Sequence, residues 1–452
     1  MSNTVVLGMQ WGDEGKGKIV DLICPAFDAV VRYQGGHNAG HTVKFADRHF
    51  ALNFLPSGIL HEGRTCVLGG GMVIEPDAFF AEVAKVEAAG VSTKGRLFVS
   101  KNAHLILPRH VELDRAREAA RGDGAIGTTK KGIGPAYETK IARIGLRLGD
   151  LTARDLTARL RAVAGHLSAH LAGSAAGDTP PVSAEAADRE LAELEQKCLF
   201  WAQRFEGIAV DTVNLLNDLI DGGSSVLFEG AQGAMLDVDH GSFPYVTSSN
   251  TTAGGVCTGT GVPPTALDGV LGVVKAYSTR VGGGPFVTEL LDQRGEHLRI
   301  RGNEFGTVTG RARRCGYFDA MVARYAARVN GVDALALTKI DVLDELPEIP
   351  VCVGYRWRGS VLAELPFELD VLQEVEPIYK NMKGWQQSTV GIKTFEELPQ
   401  EARDYVSLLE EEVGAPVGLL STGPRREETI VLDIPELDWL LGPRLGAIRA
   451  RL

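Results

Sequence analysis

The stretch QWGDEGKGK, residues 10–18, decides the fold expected for this chain. It stands between an apolar run at residues 5–7, which predicts a short buried strand, and residues 19–23, which predict a helix that ends at Pro25. A glycine-rich turn between a strand and the beginning of a helix directs backbone N–H groups towards bound phosphates. The arrangement therefore predicts a phosphate-binding loop at the first strand of an α/β fold.

The spacing of Gly12, Gly17 and Lys18 in this loop matches the first part of a Walker A sequence. The next position of that sequence is normally a Ser or Thr whose hydroxyl binds magnesium, but here it is Ile19. Asp13, inside the loop, is the expected replacement oxygen ligand. The alternative is a glycine-rich turn with surface charges only; the strand–helix context, the two lysines and the internal acid favour a phosphate site.

Further apolar runs, each leading into a polar loop, predict strands at residues 29–32, 226–228, 334–338 and 417–420. Residues 151–219 are rich in Ala, Leu, Arg and Glu, which predicts helices, and AGSAAGDTPPVS at residues 172–183 predicts a flexible surface loop. We expect one large α/β domain over residues 1–452: a large central, mostly parallel sheet flanked by helices, with a P-loop-like nucleotide-binding architecture. The helical region is an excursion from it, and residues 430–452 form a tail without assignment.

The composition argues against several classes of protein. A formal net charge of −11 disfavours nucleic-acid binding, so an anionic substrate needs a local basic pocket. None of the six cysteines forms a C-x-x-C pair, which disfavours zinc ribbons and redox motifs and fits reduced cytosolic thiols. The N-terminus shows no signal-sequence pattern, and no apolar run approaches the length of a membrane span. We expect a cytoplasmic protein without a nucleic-acid or membrane partner.

The loop GGHNAGHT, residues 35–42, places His37 and His41 four residues apart. A zinc site is disfavoured, because three glycines oppose the helix that an H-E-x-x-H site requires and Asn38 stands where the catalytic Glu would be. A histidine at the end of a glycine-rich loop can instead place its imidazole on a transferring phosphate. A structural histidine is the alternative; the closeness of the phosphate loop in sequence favours His41 as a site residue.

Two basic loops predict anion binding. GTTKKGIGPAYETKIARIG, residues 127–145, combines two threonines, three lysines and Arg143, which suits a phosphate monoester, although composition alone does not separate this from a solvated basic loop. NEFGTVTGRARR, residues 303–314, carries three arginines with Gly306 and Gly310 as hinges. Guanidinium groups bind carboxylates bidentately, so this loop predicts a dicarboxylate site; the alternative is an exposed basic turn.

The motif TKID, residues 338–341, ends a predicted strand. The stem of Lys339 can lie over a purine ring, and Asp341 can accept hydrogen bonds from N1–H and the exocyclic amine of guanine. Adenine has no N1–H, so the carboxylate would be left unpaired. So short a motif often arises by chance; paired with a phosphate loop it favours GTP over ATP. STGP, residues 421–424, follows another predicted strand and is a candidate to line the same base.

Together these motifs resemble the adenylosuccinate synthetase family. QWGDEGKGK, YQGGHNAGHT, GIGPAYETKIAR, FEGAQGAMLDVDHGSFPYVTSSNTTAGG and TGRARR occur in the family's order, from about Val5 to about Thr429. The loop at residues 172–183 departs from the family pattern, as does Ala312, where the family usually has proline or arginine. The resemblance implies GTP-dependent ligation of IMP and L-aspartate to adenylosuccinate, with GDP and phosphate, through 6-phosphoryl-IMP. This is the first committed step of AMP synthesis from IMP.

The resemblance also implies roles for single residues. Asp13 takes the proton from N1 of IMP, so that O6 attacks the γ-phosphate, and His41 is the general acid. Magnesium is held by Asp13 and the carbonyl of Gly40. Arg143 reaches the IMP of the neighbouring subunit, which implies a homodimer.

The binding residues follow from the same motifs. The expected GTP contacts are Gly12, Asp13, Glu14, Gly15, Lys16, Gly17, Lys18, Gly40, His41, Thr42, Arg313, Lys339, Ile340, Asp341, Ser421, Thr422 and Gly423. The expected IMP contacts are Asp13, Glu14, Gly15, Lys16, Asn38, Ala39, Gly40, His41, Thr129, Arg143, Gln232, Thr247 and Arg311. The expected L-aspartate contacts are Thr307, Val308, Thr309, Gly310, Arg311, Ala312 and Arg313.

Two other functions compete with this interpretation. A regulatory GTPase switch would need Ser or Thr at position 19, which Ile19 does not supply. An ATP-dependent amide ligase would not need the guanine-reading TKID motif.

Overall fold

The computed structural model describes residues 2–38, 40–45, 48–174, 184–306, 310, 312–450 and 452. For residues 41–45, 48, 49, 123, 174 and 184 it describes the backbone alone.

The strands of the described residues are short and are spread over the whole chain. In chain order they are β1 (Thr4–Gly8), β2 (Ala29–Arg32), β3 (His41–Phe45), β4 (Arg48–Leu52), β5 (Thr65–Leu68), β6 (Val73–Ile74), β7 (Leu97–Ser100), β8 (His104–Leu105), β9 (Ala209–Val210), β10 (Val226–Glu229), β11 (Gly269–Lys275), β12 (Ser278–Arg280), β13 (Arg314–Gly316), β14 (Phe318–Asp319), β15 (Ala334–Thr338), β16 (Glu348–Trp357), β17 (Ser360–Leu362), β18 (Glu376–Lys383), β19 (Val417–Ser421) and β20 (Thr429–Val431).

The α-helices alternate with these strands. They are α1 (Lys16–Ile23), α2 (Pro76–Ala88), α3 (Pro108–Ala120), α4 (Ile133–Ile141), α5 (Leu156–Ser174), α6 (Ala184–Arg204), α7 (Thr212–Asp221), α8 (Gly254–Thr260), α9 (Gln293–Arg301), α10 (Ala320–Asn330), α11 (Leu369–Glu374), α12 (Gln400–Val413), α13 (Pro435–Leu441) and α14 (Leu445–Arg449). Among the described helices, none combines the length and the apolar composition of a membrane span.

A ten-stranded sheet forms the centre of the molecule, in the order β20-β19-β15-β11-β1-β10-β2-β5-β7-β9. All neighbours pair in parallel except the edge strand β20, which is antiparallel to β19. The prediction of a large, mostly parallel sheet flanked by helices is confirmed, and each of the predicted strands belongs to this sheet. Because parallel strands end at the same edge, the loops after β1, β2, β10, β15 and β19 share one side of the sheet.

Both faces of this sheet are apolar, as a parallel sheet covered by helices requires. Val5 and Leu7 of β1 belong to the core on one face, which α10 and α12 complete. Val6 belongs to the core on the other face, which α1 covers together with α13 and α14. The chain after residue 430, without assignment from sequence, thus packs against the sheet, and the hydroxyl of Thr4 donates to the carbonyl of Leu440 at 2.6 Å.

A second apolar cluster lies beside the β5–β7 end of the sheet. Helices α2, α3, α5 and α6 contribute to it, and Trp201 at its centre is fully buried. The indole N–H of Trp201 donates to Asp77 at 2.7 Å, so α6 is tied to α2. Helix α5 continues to Ser174, three residues into the segment predicted as a loop, and residues 175–183 of that segment lie outside the described residues.

Candidate nucleotide and substrate site

The loop after β1 turns sharply before α1. Gly12, Asp13 and Gly15 have φ angles of 85°, 60° and 89°, and Gly15 is the N-cap of the helix. Glycine adopts this left-handed conformation without steric cost, which explains two of the three positions. Asp13 adopts it against its preference, and its side chain is about a third exposed (35%) at the mouth of the loop.

The backbone N–H groups of this loop bind an anion within the chain itself. The fully buried carboxylate of Glu14 accepts hydrogen bonds from the N–H groups of Gln10 at 3.0 Å and Gly12 at 2.9 Å, and from Lys16 Nζ at 2.5 Å. Glu14 and Lys16, both predicted as ligand contacts, thus pair with each other here. These two backbone N–H groups are therefore oriented towards a carboxylate within the loop.

The loops after β1, β15 and β19 contact one another directly. The hydroxyl of Thr338 donates to the carbonyl of Glu14 at 2.6 Å. Lys18 Nζ donates to the hydroxyl of Ser421 at 2.6 Å and to the carbonyl of Gly423 at 2.7 Å. Burial lowers the pKa of Lys18 to about 7, although Asp341 and two glutamates near it act in the opposite direction. Lys18 therefore joins the phosphate loop to the STGP loop.

The motif TKID lies at the end of β15, beside the loop after β1. Lys339 has a left-handed φ of 62° and begins a single 3₁₀ turn, Ile340–Leu343. Its Nζ donates to the carbonyl of Gly302 at 2.6 Å. Burial raises the pKa of Asp341, and the charge of Asp344 adds to this effect, so the Asp341 carboxylate would gain from donors supplied by a ligand.

The arginine loop reaches the phosphate loop through Arg313. The Nε atom of Arg313 lies 2.8 Å from Asp13 Oδ2. Arg314 instead pairs with Glu289 and donates to the carbonyl of Gly284 at 2.8 Å. Gly310 is exposed, with a φ of 64°. The predicted aspartate contacts Thr307, Val308, Thr309 and Arg311 lie outside the described residues.

Gln232, after β10, has unsatisfied hydrogen-bonding groups. Its φ is 57°, and both polar atoms of its side-chain amide are buried without a hydrogen-bond partner among the described residues. A buried amide without partners is costly in a folded protein unless a ligand or water supplies them. Gln232 therefore has the properties of a ligand contact.

The other predicted IMP contacts lie in neighbouring loops. Asn38 Oδ1 accepts from the N–H of Gly36 at 3.1 Å, Thr247 is half-buried and Thr129 is exposed. A cavity of about 440 Å³ is lined by Thr128 and Lys130, on either side of Thr129.

The two histidines of GGHNAGHT differ in their surroundings. The ring of His37 stacks on Phe54 with centroids 5.1 Å apart, and burial lowers the pKa of His37 to about 4, so the imidazole is neutral at neutral pH. His41 is the first residue of β3. Its side chain and that of Thr42 lie outside the described residues, as does Ala39; Gly40 is exposed.

Arg143 lies just after the end of α4, on the surface. Its φ is 64°, and the nearby side chain of Ile141 is 76% exposed. An exposed apolar side chain beside a strained arginine is consistent with a contact surface.

Backbone strain is concentrated in the predicted motifs. Of the eight described non-glycine residues with positive φ, six belong to them: Asp13, Lys130, Arg143, Gln232, Asn303 and Lys339. Such strain persists where the surrounding structure enforces it, and it clusters at functional sites.

Sequence reasoning missed Glu304, which is fully buried and pairs with Lys339 and Arg313. The available signal was that Glu304 is the one acidic residue of the otherwise basic segment 303–314.

A sequence profile described as adenylosuccinate synthetase matches residues 5–430. The chain belongs to the adenylosuccinate synthetase family. It is 51% identical to the adenylosuccinate synthetase of Pseudomonas putida over 434 residues, covering 96% of this chain and 99% of the relative. It is 50% identical to that of Chromohalobacter salexigens over 437 residues, with the same coverage.

A solved structure supports the same membership. The fully ligated adenylosuccinate synthetase of Plasmodium falciparum superposes with a TM-score of 0.85 at 38% identity, covering 96% of this chain and all of that one. The function of the family is the GTP-dependent ligation of IMP and aspartate, a step of purine biosynthesis, and the family uses a metal. The ligase function expected from the motifs is thereby confirmed.

Proposed function

We propose that the GTP-dependent ligation of IMP and L-aspartate takes place at the carboxyl edge of the central sheet, where GTP, IMP and aspartate occupy adjoining loops. The observation that carries the proposal is the ion pair between Arg313 and Asp13, at 2.8 Å. It joins the proposed aspartate loop to the proposed phosphate loop, although the two are 300 residues apart in sequence.

GTP lies across the loops after β1, β15 and β19 in this proposal. Its phosphates bind residues 12–18 and the segment 40–42, and its base lies over Lys339 with Asp341 accepting from N1–H and the 2-amino group. Residues 421–423 and Arg313 complete the site. Support comes from the contacts that join these loops and from the raised pKa of Asp341. Hydrogen bonds from two guanine donors would stabilise the ionised form of this buried carboxylate.

IMP lies next to the γ-phosphate, against residues 13–16, residues 38–41, Thr129, Gln232, Thr247 and Arg311. Asp13 removes the N1 proton of IMP, and O6 attacks the γ-phosphorus, so that GDP leaves and 6-phosphoryl-IMP forms. His41 is the acid that stabilises the transferred group. The amine of aspartate then attacks C6, and phosphate leaves. The unpaired amide of Gln232 and the exposed carboxylate of Asp13 support this arrangement.

Residues 307–313 bind L-aspartate. An arginine matches the two oxygens of a carboxylate, so Arg311 and Arg313 are the expected partners of the dicarboxylate. Arg313 pairs with two carboxylates, those of Asp13 and Glu304, which supports carboxylate binding by this side chain.

The metal of the family is Mg²⁺ in this proposal, with Asp13 and the carbonyl of Gly40 as its protein ligands. The chain fits this ion, because Asp13 offers a partly exposed carboxylate oxygen and Ile19 is fully buried and has no hydroxyl to offer. When bound, magnesium neutralises charge on the phosphates of GTP. We also propose that the protein acts as a cytoplasmic homodimer, in which Arg143 binds the IMP of the partner subunit.

Product analysis tests the proposal. Purified protein with IMP, L-aspartate, GTP and Mg²⁺ should form adenylosuccinate, GDP and phosphate in equal amounts, and omission of either IMP or aspartate should stop GTP turnover. Replacement of GTP by ATP should abolish most of the activity.

Asp13→Ala should lower kcat by at least roughly a hundredfold, the lower end for a positioned proton-transfer group. Asp155→Ala, which removes an exposed aspartate outside the site, is the matched control and should retain full activity. Turnover of GTP without IMP would indicate a regulatory GTPase and refute the proposal.

A further inference from the structure

The carboxylate of Glu304 is the centre of a buried cluster of charged groups. Its Oε1 accepts hydrogen bonds from Lys275 Nζ at 2.8 Å and Lys339 Nζ at 2.6 Å. The hydroxyl of Tyr277 donates to the same oxygen at 2.5 Å. Its Oε2 accepts from Arg313 Nη1 at 2.6 Å. One carboxylate therefore faces three cations.

Exposure increases outward from the centre of this cluster. The side chains of Glu304 and Lys275 are fully buried, that of Arg313 is 10% exposed, and that of Lys339 is 28% exposed. Burial alone would favour protonated Glu304, but the three cations outweigh it and hold the pKa of Glu304 well below its usual range. Glu304 is therefore ionised at neutral pH. It pairs with the fully buried Lys275 and with Lys339 and Arg313, the two cations that belong to the proposed ligand sites.

Glu304 also stands at the base of the arginine loop. The N–H of Arg313 donates to the carbonyl of Glu304 at 2.9 Å, and Phe305 and Ala312 form an antiparallel bridge just inside. The backbone is therefore closed at this point, and these paired residues form the base of the arginine loop. The orientation of that base depends on where the Glu304 carboxylate is held.

The two outer cations belong to different ligand sites. Lys339 is the lysine of TKID, and Arg313 contacts Asp13 at 2.8 Å. Lys339 and Arg313 both pair with the buried carboxylate of Glu304, and charges interact more strongly in the protein interior than in water. A ligand that fixes Lys339 against Glu304 therefore also reduces the freedom of Arg313 and of the loop base.

We propose that Glu304 is a positioning residue that couples the guanine-nucleotide site to the aspartate loop, through its contacts with Lys339 and Arg313. The inference rests on the proposed function, because both ligand assignments come from it. It adds that the two sites are energetically linked, and that the link is one carboxylate which contacts neither substrate.

The coupling can be measured without catalysis, because GDP has no γ-phosphate to transfer. The Kd of GDP would be determined by titration calorimetry in the presence of IMP and Mg²⁺, with and without saturating L-aspartate. In the wild type, aspartate should tighten GDP binding by at least about fivefold, the lower end for coupled sites. In Glu304→Gln, which has the same shape without the charge, the ratio of the two Kd values should fall to about one. If Glu304 only stabilised the fold, Glu304→Gln would weaken the binding of both ligands and leave the ratio of the two Kd values as in the wild type.

Glu304→Gln removes the carboxylate charge that three cations share, one of which, Lys275, is fully buried, so its folding would be checked by circular dichroism. If it does not fold, the double variant Glu304→Gln/Lys275→Met, which removes a buried cation with the anion, takes its place and should also lack coupling. Glu289→Gln is the matched control: it removes the charge that pairs with Arg314, one residue beyond the loop, and should keep the wild-type ratio.

Retained coupling in the folded Glu304 variant would overturn the inference, as would a wild type that binds both ligands independently. A wild type that binds neither GDP nor aspartate would overturn the proposed function, and this inference with it.

Discussion

At the scale of single residues, Asp341 carries the proposed choice of base. Its carboxylate matches the two adjacent donors of guanine, N1–H and the 2-amino group. Xanthine has a carbonyl oxygen in place of that amine, and an amide side chain can donate to this oxygen while accepting from N1–H. Asp341→Asn should therefore weaken the use of GTP and improve the use of XTP.

The size of this effect follows from the cost of a buried polar mismatch, about 1–3 kcal/mol. That corresponds to a change of roughly ten- to a hundredfold in the ratio of kcat/KM for the two nucleotides. The measurement uses saturating IMP and aspartate, so that only the nucleotide site is compared. Glu345→Gln, which changes a 57% exposed carboxylate four residues further on, should keep the wild-type ratio. An unchanged ratio in Asp341→Asn would remove Asp341 from base recognition.

At the scale of secondary-structure elements, Asp319 caps α10 from a buried position. Its Oδ1 accepts from the N–H of Val322 at 3.3 Å, and its Oδ2 accepts from the hydroxyl of Tyr355 at 2.5 Å. Burial raises the pKa of Asp319 to about 6, from 3.8. Between these two values Asp319 holds a proton in the folded state that it has released in the unfolded state, so the contribution of Asp319 to stability should fall as pH rises from about 4 to about 6.

The change should reach roughly 3 kcal/mol, since the pKa of Asp319 differs by about two between the unfolded and folded states and a difference of one corresponds to about 1.4 kcal/mol. Urea unfolding of the wild type and of Asp319→Asn between about pH 4 and about pH 6 would measure this change. The free energy of unfolding of the wild type minus that of the variant should shrink or change sign as Asp319 ionises. Asp292 caps α9 in the same way but is about half exposed, so Asp292→Asn should not show this trend. A pH-independent difference for Asp319→Asn would contradict the assignment.

The tail after residue 430 is the second element whose role is testable. Leu440 in α13 is 1% exposed and packs against the central sheet. Leu440→Ala should lower the free energy of unfolding by about 2–5 kcal/mol, as is typical for a buried leucine. Trp439→Ala, next to it on the same helix but 53% exposed, is the matched control and should change stability little. Equal effects of the two would mean that α13 does not pack as described.

At the scale of the whole molecule, the proposed homodimer makes each site depend on both chains. Arg143→Leu and Asp13→Ala chains should each be inactive. When they are mixed, hybrid dimers contain one site with both wild-type residues, and an equal mixture should recover about a quarter of wild-type activity. Activity in the mixture is the measurement, and each variant incubated alone is the control. Confirmed subunit exchange without recovered activity would show that Arg143 acts within its own chain.

The sequence by itself determined five of the ten strands of the sheet and the chemistry of the loops that follow them. These features are local: an apolar run of four or five residues predicts a buried strand, and glycines at Gly12 and Gly15 permit the left-handed turn that a phosphate loop needs. The resemblance of the motifs to a known family then supplied the expected ligands and roles. The segments at residues 29–32 and 334–338 were predicted with the bounds that the structure has.

Only the tertiary structure decided which of these loops meet. Strand β1 lies between β10 and β11, more than 200 residues away, and that order places TKID and the STGP loop beside the phosphate loop. It also pairs Lys18 with Ser421, covers the sheet with α13, and surrounds Glu304 with cations from three separate segments. The physical reason is that such contacts depend on strand order and on burial between distant parts of the chain, and no local pattern of residues specifies either of them.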